Sequence, residues 1–252
     1  MFTGVSGLLA NAQDINVIGN NLANVNTTGF KGSRTLFADM LSTNMSNGSQ
    51  IGQGAKVQKV DNIISQASFE STDLVSDLAI QGTGFFEVQS STGSNYLTRA
   101  GAFRLDSTGN LINPDGYFVL DTAGAKINLG VGSTITNIDS TGTITYINSS
   151  NVTQAYGTKI GIATVPNVSA LQKAGNTLYD VTASQTAGSG TITVAAADGV
   201  VNKIYSSSLE QSNVDMATQM VKMIITQRAY SANSKTIVTA DEMTQEVLNL
   251  KR

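Results

Sequence analysis

The side chains that most often do chemistry are thinly supplied here. The chain has no Cys and no His among its 252 residues. Zinc sites of the Cys/His kind and Ser-His-Asp or Cys-His mechanisms are therefore excluded. Carboxylate and lysine chemistry remain. Asp106, Asp115, Asp121 and Asp139 could be gathered into a carboxylate site. All four stand in turn signals, where Asp caps nearby backbone groups, and turn chemistry is the better reading. Gly52-Gln53-Gly54 and Gly82-Thr83-Gly84 are fragments of glycine-rich loops. Neither completes GxGxxG or a P-loop, so tight turns explain them better than nucleotide binding. Val75 to Ile80 with Phe85 and Phe86 could line a ligand groove, but a core strand is the simpler reading. No catalytic residue, metal or cofactor is expected, and the chain does not read as an enzyme.

Composition narrows the partners. Charged residues make up 13% of the chain, about half the usual share. Ser, Thr, Asn and Gly fill the gap and give a neutral hydrogen-bonding surface suited to close subunit packing. A net charge of −3 and a pI near 4.9 argue against nucleic acid, which needs a basic patch to displace counterions. Met1 to Ala12 shows no signal peptide, and no apolar run is long enough to insert into a membrane. Taken alone, these signals point to the cytoplasm.

The elements fall into three zones. Near the start, Val5, Leu8, Ala12, Ile15, Ile18, Leu22 and Val25 recur every three or four residues and predict a helix that stops at Gly29. Near the end, Val214, Ala217, Val221, Ile225, Ala229, Ala232, Thr236, Ala240, Met243, Val247 and Leu250 keep the same period. Ser212 and Asp215 form an S-x-x-D start with Ser as the N-cap, and Lys251 and Arg252 suit the C-terminal dipole. Such a helix would run roughly 55 to 60 Å. Met216, Met220 and Met223 open it and suit adaptable packing between helices.

Between the helices the chain reads as β. Phe85 to Val88, Tyr117 to Leu120, Thr143 to Ile147 and Lys159 to Val165 are candidate strands. STGSN at 91–95, DSTGN at 106–110, NPDG at 113–116 and DSTGT at 139–143 are turn signals. The expected fold is α+β. Terminal helices (1–30 and 212–252) form a coiled-coil-like domain, 31–70 is a linker, and 71–211 is a central antiparallel β-rich domain. SNGSQIGQG at 46–54 is expected to be mobile or extended. Neither apolar stripe has an obvious seat on the β domain, so order on assembly is expected.

One stretch resists this reading. NNLANVNTTGFKG, residues 20–32, ends an apolar helix with four asparagines, although asparagine is a weak helix former. Asn20, Asn21, Ala23 and Asn24 followed by Gly29-Phe30-Lys31 resemble the signature of the bacterial flagellar rod and hook family. DLAIQGTGFFEV from Asp77, YLTRAGAFRLDSTGNLINPDGYFVL from Tyr96 and LEQSNVDMATQMVKMIITQRAYSANSKTIVTADEM from Leu209 extend the resemblance over most of the chain.

The resemblance implies a tube lined by the terminal helices, with the β domain outside, and export by the flagellar secretion system without a cleaved signal. It implies self-association into a helical homopolymer. It also implies contacts with rod proteins, hook–filament junction proteins, the hook cap and the export apparatus. The assembly candidates are Leu8, Ile15, Ile18, Asn20, Asn21, Leu22, Asn24, Val25 and Phe30, with Val214, Val221, Ile225, Arg228, Tyr230, Ala232, Met243, Val247 and Leu250. The asparagine amides are expected to reach sideways to neighbouring copies. Within the family the chain resembles a short hook protein without the extra outer domain: the span from Met40 to Val57 is only modestly expanded, and the opening FTGVSGLLANAQDINVIGNN and the ending EVLNLKR look hook-like. This favours the hook, a flexible torque-transmitting joint, with the distal rod as the alternative. A secreted β-rich binding module is the rival from another class, but the chain has no Trp and only 6% aromatic residues.

Overall fold

The computed structural model describes residues 2–44 and 50–250. Residues 46–49 of the polar, glycine-rich stretch lie outside them, as do Lys251 and Arg252. Among the described residues are three α-helices: α1 (Phe2–Ala23), α2 (Val181–Thr186) and α3 (Met216–Leu250). The chain divides into two compact units, one of Met1–Val25, Gly32–Ile63 and Val214–Arg252, the other of Asn26–Lys31 and Ile64–Asn213.

In the first unit α1 packs antiparallel against α3. With 35 residues, α3 runs about 52 Å, against about 33 Å for the 22 residues of α1. Asp215, not Ser212, supplies the cap of α3: its carboxylate accepts the Thr218 N–H at 2.9 Å and also the Thr218 hydroxyl. A carboxylate is the stronger acceptor for an orphan N–H. These bonds, the one from the Thr218 side chain first, hold the Asp215 carboxyl below its ordinary range.

The segment read as a linker carries a hairpin in this unit. Ser33–Asp39 pairs antiparallel with Ala55–Asn62, with a register shift between Leu36 and Phe37. Lys59 bonds Asp61 across 2.7 Å. Periodicity missed the hairpin because its burial alternates only weakly.

The second unit is antiparallel β. Its main sheet runs in the order 172–175, 178–180, 95–98, 85–89, 118–119, 111–112, 104–105, with 162–164 pairing both 85–86 and 193–195. A three-stranded meander covers 134–138, 143–147 and 153–159. Phe86 and Phe103 meet edge to face at 5.1 Å in one buried cluster, and Phe85 and Tyr179 at 5.8 Å in a second. Leu78, Ala79 and Ile80 are wholly buried, as core-strand residues.

The turn readings hold for Asp106, Asp121 and Asp139. Asp106 accepts the Ser107 N–H and the Thr108 hydroxyl, and Asp139 accepts the Thr141 hydroxyl. Asp121 accepts the N–H groups of Ala123 and Ala125, and Asp115 meets Asn176. Lys159 to Val165 does not form one strand. It breaks where Gly161 passes so close to Asp121 that a Cβ would lie 2.7 Å from its carbonyl oxygen. The short helix α2 was not foreseen, although Asp180 caps it through the Ala183 N–H at 2.8 Å.

Glu87, in the strand Phe85–Gln89, is 7% exposed and accepts a bond from Asn95 at 2.9 Å. Burial pushes its carboxyl up, and the Asn95 bond opposes this. A raised folded-state pKa means that the native chain binds this proton more tightly than the unfolded chain does. The resulting stability is complete below the unfolded value, about 4.3, and is lost as pH rises through the folded one. Glu87→Gln should therefore resist urea better than the parent at pH 7, with the gap closing below about pH 4. A variant weaker than the parent at pH 7 would mean that the Asn95 bond outweighs burial.

Candidate assembly interface

Polar contacts set the register between α1 and α3. Asn21 reaches Gln219 at 3.4 Å, and Asp14 accepts the Thr226 hydroxyl at 3.0 Å. A Cβ on Gly7 would lie 2.6 Å from Asn233 Nδ2. Gly7, Asp14 and Asn21 are seven residues apart, as are Gln219, Thr226 and Asn233. Every pair therefore obeys one antiparallel register, and Gly4 continues it against Thr236 and Ile237. Seven-residue recurrence is the mark of a coiled-coil seam, and polar seam residues fix register at some loss of stability. The recurrence was legible, but a reading led by apolar residues passes over small and polar positions.

Asn21 does more than join the helices. It is buried, accepts the Ser33 N–H at 2.9 Å and donates to the Ser33 carbonyl at 2.7 Å. Its amide thus pairs with both backbone groups of Ser33, as a neighbouring strand would, and pins the hairpin to α1. Asn24 turns back on Asn20, donating to its carbonyl and its side-chain oxygen, each at 3.0 Å. Three of the four amides, those of Asn20, Asn21 and Asn24, thus make bonds within the chain. Asn20 has an exposed side chain.

The remaining candidates separate by position. Ile18 is buried, while Leu8, Ile15, Leu22, Val25 and Val214 are half-buried. Val221, Ile225, Arg228, Tyr230, Ala232, Met243, Val247 and Leu250 are all exposed. Ile225 keeps 61% of its surface open and Leu250 82%. Every residue from Asp241 to Leu250 is exposed. The α3 stripe read from the sequence is thus largely not the face that meets α1; only Ala229 and Ala240 of its members beyond Val214 are half-buried.

Phe30 sits in the second unit, buried under the Lys173 ammonium at 4.8 Å from its ring centre. Beside it Lys31, wholly buried, donates to Glu210 at 2.6 Å and to the Ser65 carbonyl at 2.7 Å. Glu210 also takes Arg99 at 3.2 Å and the Ala67 N–H at 3.0 Å. Burial pulls the Lys31 ammonium below its ordinary range, with Glu210 working the other way. Gly29 (φ +69°) donates to the Glu210 carbonyl at 2.7 Å, and a Cβ there would lie 2.5 Å from the Ala100 nitrogen. One buried carboxylate thus holds two buried cations and ties the segment after α1 to the segment before α3. The sequence reading did not find Arg99 or Glu210; nothing in local spacing links them.

Asn21→Ala removes both bonds to Ser33 and leaves their partners short, a loss of about 1–3 kcal/mol. The Ser33 amide should then exchange with solvent markedly faster, and an unchanged rate would mean that the clamp carries no stability. Glu210→Gln strands two buried cations and should lower urea stability of the full chain by about 3–5 kcal/mol. Lys31→Met should cost less, because Glu210 keeps Arg99. The reverse order would refute the shared-carboxylate account.

Three family models match in chain order: "Flagella basal body rod protein" over residues 1–31, "Flagellar hook protein FlgE/F/G D1 domain" over 79–146, and "Flagellar basal body rod FlgEFG protein C-terminal" over 205–250. The chain is 40% identical to the flagellar basal-body rod protein FlgG of Bacillus subtilis (strain 168), across 100% of this chain and 98% of that one. It is 36% identical to the protein of the same description from Agrobacterium fabrum (strain C58), across 98% and 97%. Similarity to the flagellar hook protein FlgE of Treponema pallidum (strain Nichols), 37% identical, covers 50% of this chain and 31% of that protein. The chain belongs to the bacterial flagellar rod and hook family, whose members are structural proteins and not enzymes.

Proposed function

We propose that the chain is a subunit of the distal rod of the flagellar basal body, polymerising into a hollow tube that transmits torque. The observation that carries assembly is the outward face of α3, with Val221, Ile225, Met243, Val247 and Leu250 uncovered. A row of large apolar residues on an otherwise polar helix loses free energy to water until neighbouring helices cover it. The polar seam leaves these residues outside the chain's own contacts. What remains open on α1 and α3, Phe2 and Leu9 included, is then completed by further copies.

The choice of rod over hook rests on similarity along the whole chain. The rod relatives are spanned almost end to end, whereas the hook relative is spanned over 31% of its length. The modest span from Met40 to Val57, taken from sequence to favour the hook, loses its force, because rod proteins align along almost the whole chain. The localisation that follows is the basal body, reached through the flagellar export apparatus. Neighbouring rod subunits and the hook are the expected partners. The hook-like half of the chain supports the hook as a second reading.

Electron microscopy of the full-length chain under polymerising conditions tests the proposal. Straight tubes are expected, and curved tubes would favour the hook. Val221→Ser with Ile225→Ser should leave the monomer's circular dichroism unchanged and abolish tubes. Normal tubes from that variant would sink the role given to the outward face.

A further inference from the structure

Four charged side chains fall on one row of α3. Arg228, Lys235 and Glu242 are seven residues apart, and Glu246 follows Glu242 by four. Val221 and Ile225 open the same row, and Ala232 continues it. Arg228 and Lys235 each stand two residues beyond a seam residue, Thr226 and Asn233. At about 100° per residue this puts them on the far side of the helix from α1. The row is exposed throughout. Among the described residues its charges form no ion pair within the chain. Ile224, Gln227, Arg228, Ser231, Ala232 and Lys235 line a shallow groove along it. Lys222 and Asp241 lie off the row.

The order of the charges is the informative part. The row is basic in mid-helix and acidic toward its end. A copy of α3 laid alongside at the same height would set like charge against like. Displaced by one heptad, it would set Lys235 against Glu242 but also Arg228 against Lys235, so that attraction and repulsion offset. Displaced by two, it sets Glu242 against Arg228 and Glu246 against Ala232, one turn from both cations. Unlike charges then meet and like charges do not.

We propose that α3 docks on the α3 of a second copy, parallel to it and displaced by about two heptads, so that Glu242 and Glu246 of one copy lie against Arg228 and Lys235 of the next. This rests on the homopolymer reading above, because a tube built by one repeated operation keeps every copy in the same sense. Glu242 lies fourteen residues beyond Arg228, so the displacement is about 21 Å along the helix. Exposed ion pairs add little affinity singly. Their effect is to penalise wrong registers through like-charge contact.

The test is sedimentation of the full-length chain under polymerising conditions. Arg228→Glu with Lys235→Glu should lose sedimentable polymer. Adding Glu242→Lys and Glu246→Lys to that chain should restore it. A second route avoids relying on one heavily altered chain. The Arg228→Glu/Lys235→Glu chain and a Glu242→Lys/Glu246→Lys chain should each fail alone and co-sediment when mixed. Polymer from the first double variant, or no recovery by either route, overturns the register. Loss of polymer in Val221→Ser/Ile225→Ser with no effect of the charge reversals would reject the register and keep the assembly reading. A parent chain that never polymerises would remove both.

Discussion

The seam between the terminal helices is the constraint on which the rest depends. Its register is set by glycine, carboxylate, hydroxyl and amide groups at seven-residue intervals, with Ala10 and Ile18 buried on the same side of α1 and Ile237 lying against Gly4. Gly4 and Gly7 leave room for the side chains of Asn233, Thr236 and Ile237, and Asp14–Thr226 and Asn21–Gln219 set the register. Such a seam is specific but weak, because each polar pair exchanges one set of hydrogen bonds for another. Its consequence is geometric. With polar groups turned inward, Val221, Ile225 and Met243 are turned outward, and the isolated chain presents the surfaces that a polymer would cover.

The second unit solves a different problem. Residues 26–31 lie next to α1 in sequence yet belong to the β unit. Gly29 is admitted against the Arg99–Ala100 backbone because it lacks a Cβ, Phe30 is capped by Lys173, and Lys31 is bound by Glu210. A buried arrangement of two cations and one anion is poor as a source of stability but intolerant of rearrangement. It holds the start and the end of the β unit in one relation, whatever the helices do.

Much of this was legible in the sequence. Helix periods, turn chemistry at Asp106, Asp121 and Asp139, and the core strands around Phe85 and Leu78 follow from local rules that the structure obeys. What was not legible depends on residues far apart in the chain. The Lys31–Glu210–Arg99 cluster joins positions up to 179 residues apart. The amide of Asn21 finds Ser33 across a chain reversal. The stripe on α3 was found, but which helix face meets α1 was not, because an apolar stripe destined for another copy looks the same as one destined for the chain's own core. Hydrophobic periodicity says that a face will be covered, and not by whom.

The central claim is that polar contacts set the register in which the chain closes on itself, while the uncovered apolar residues of α3 close it on its neighbours. Hydroxyl-radical footprinting of monomer against assembled tube tests it most directly, because the methionines of α3 sample both surfaces. Met220 and Met243 are exposed and Met223, beside the seam, is half-buried. The account predicts that Met220 and Met243 lose reactivity on assembly while Met223 changes little. Met243 remaining as reactive in the tube as in the monomer would contradict it.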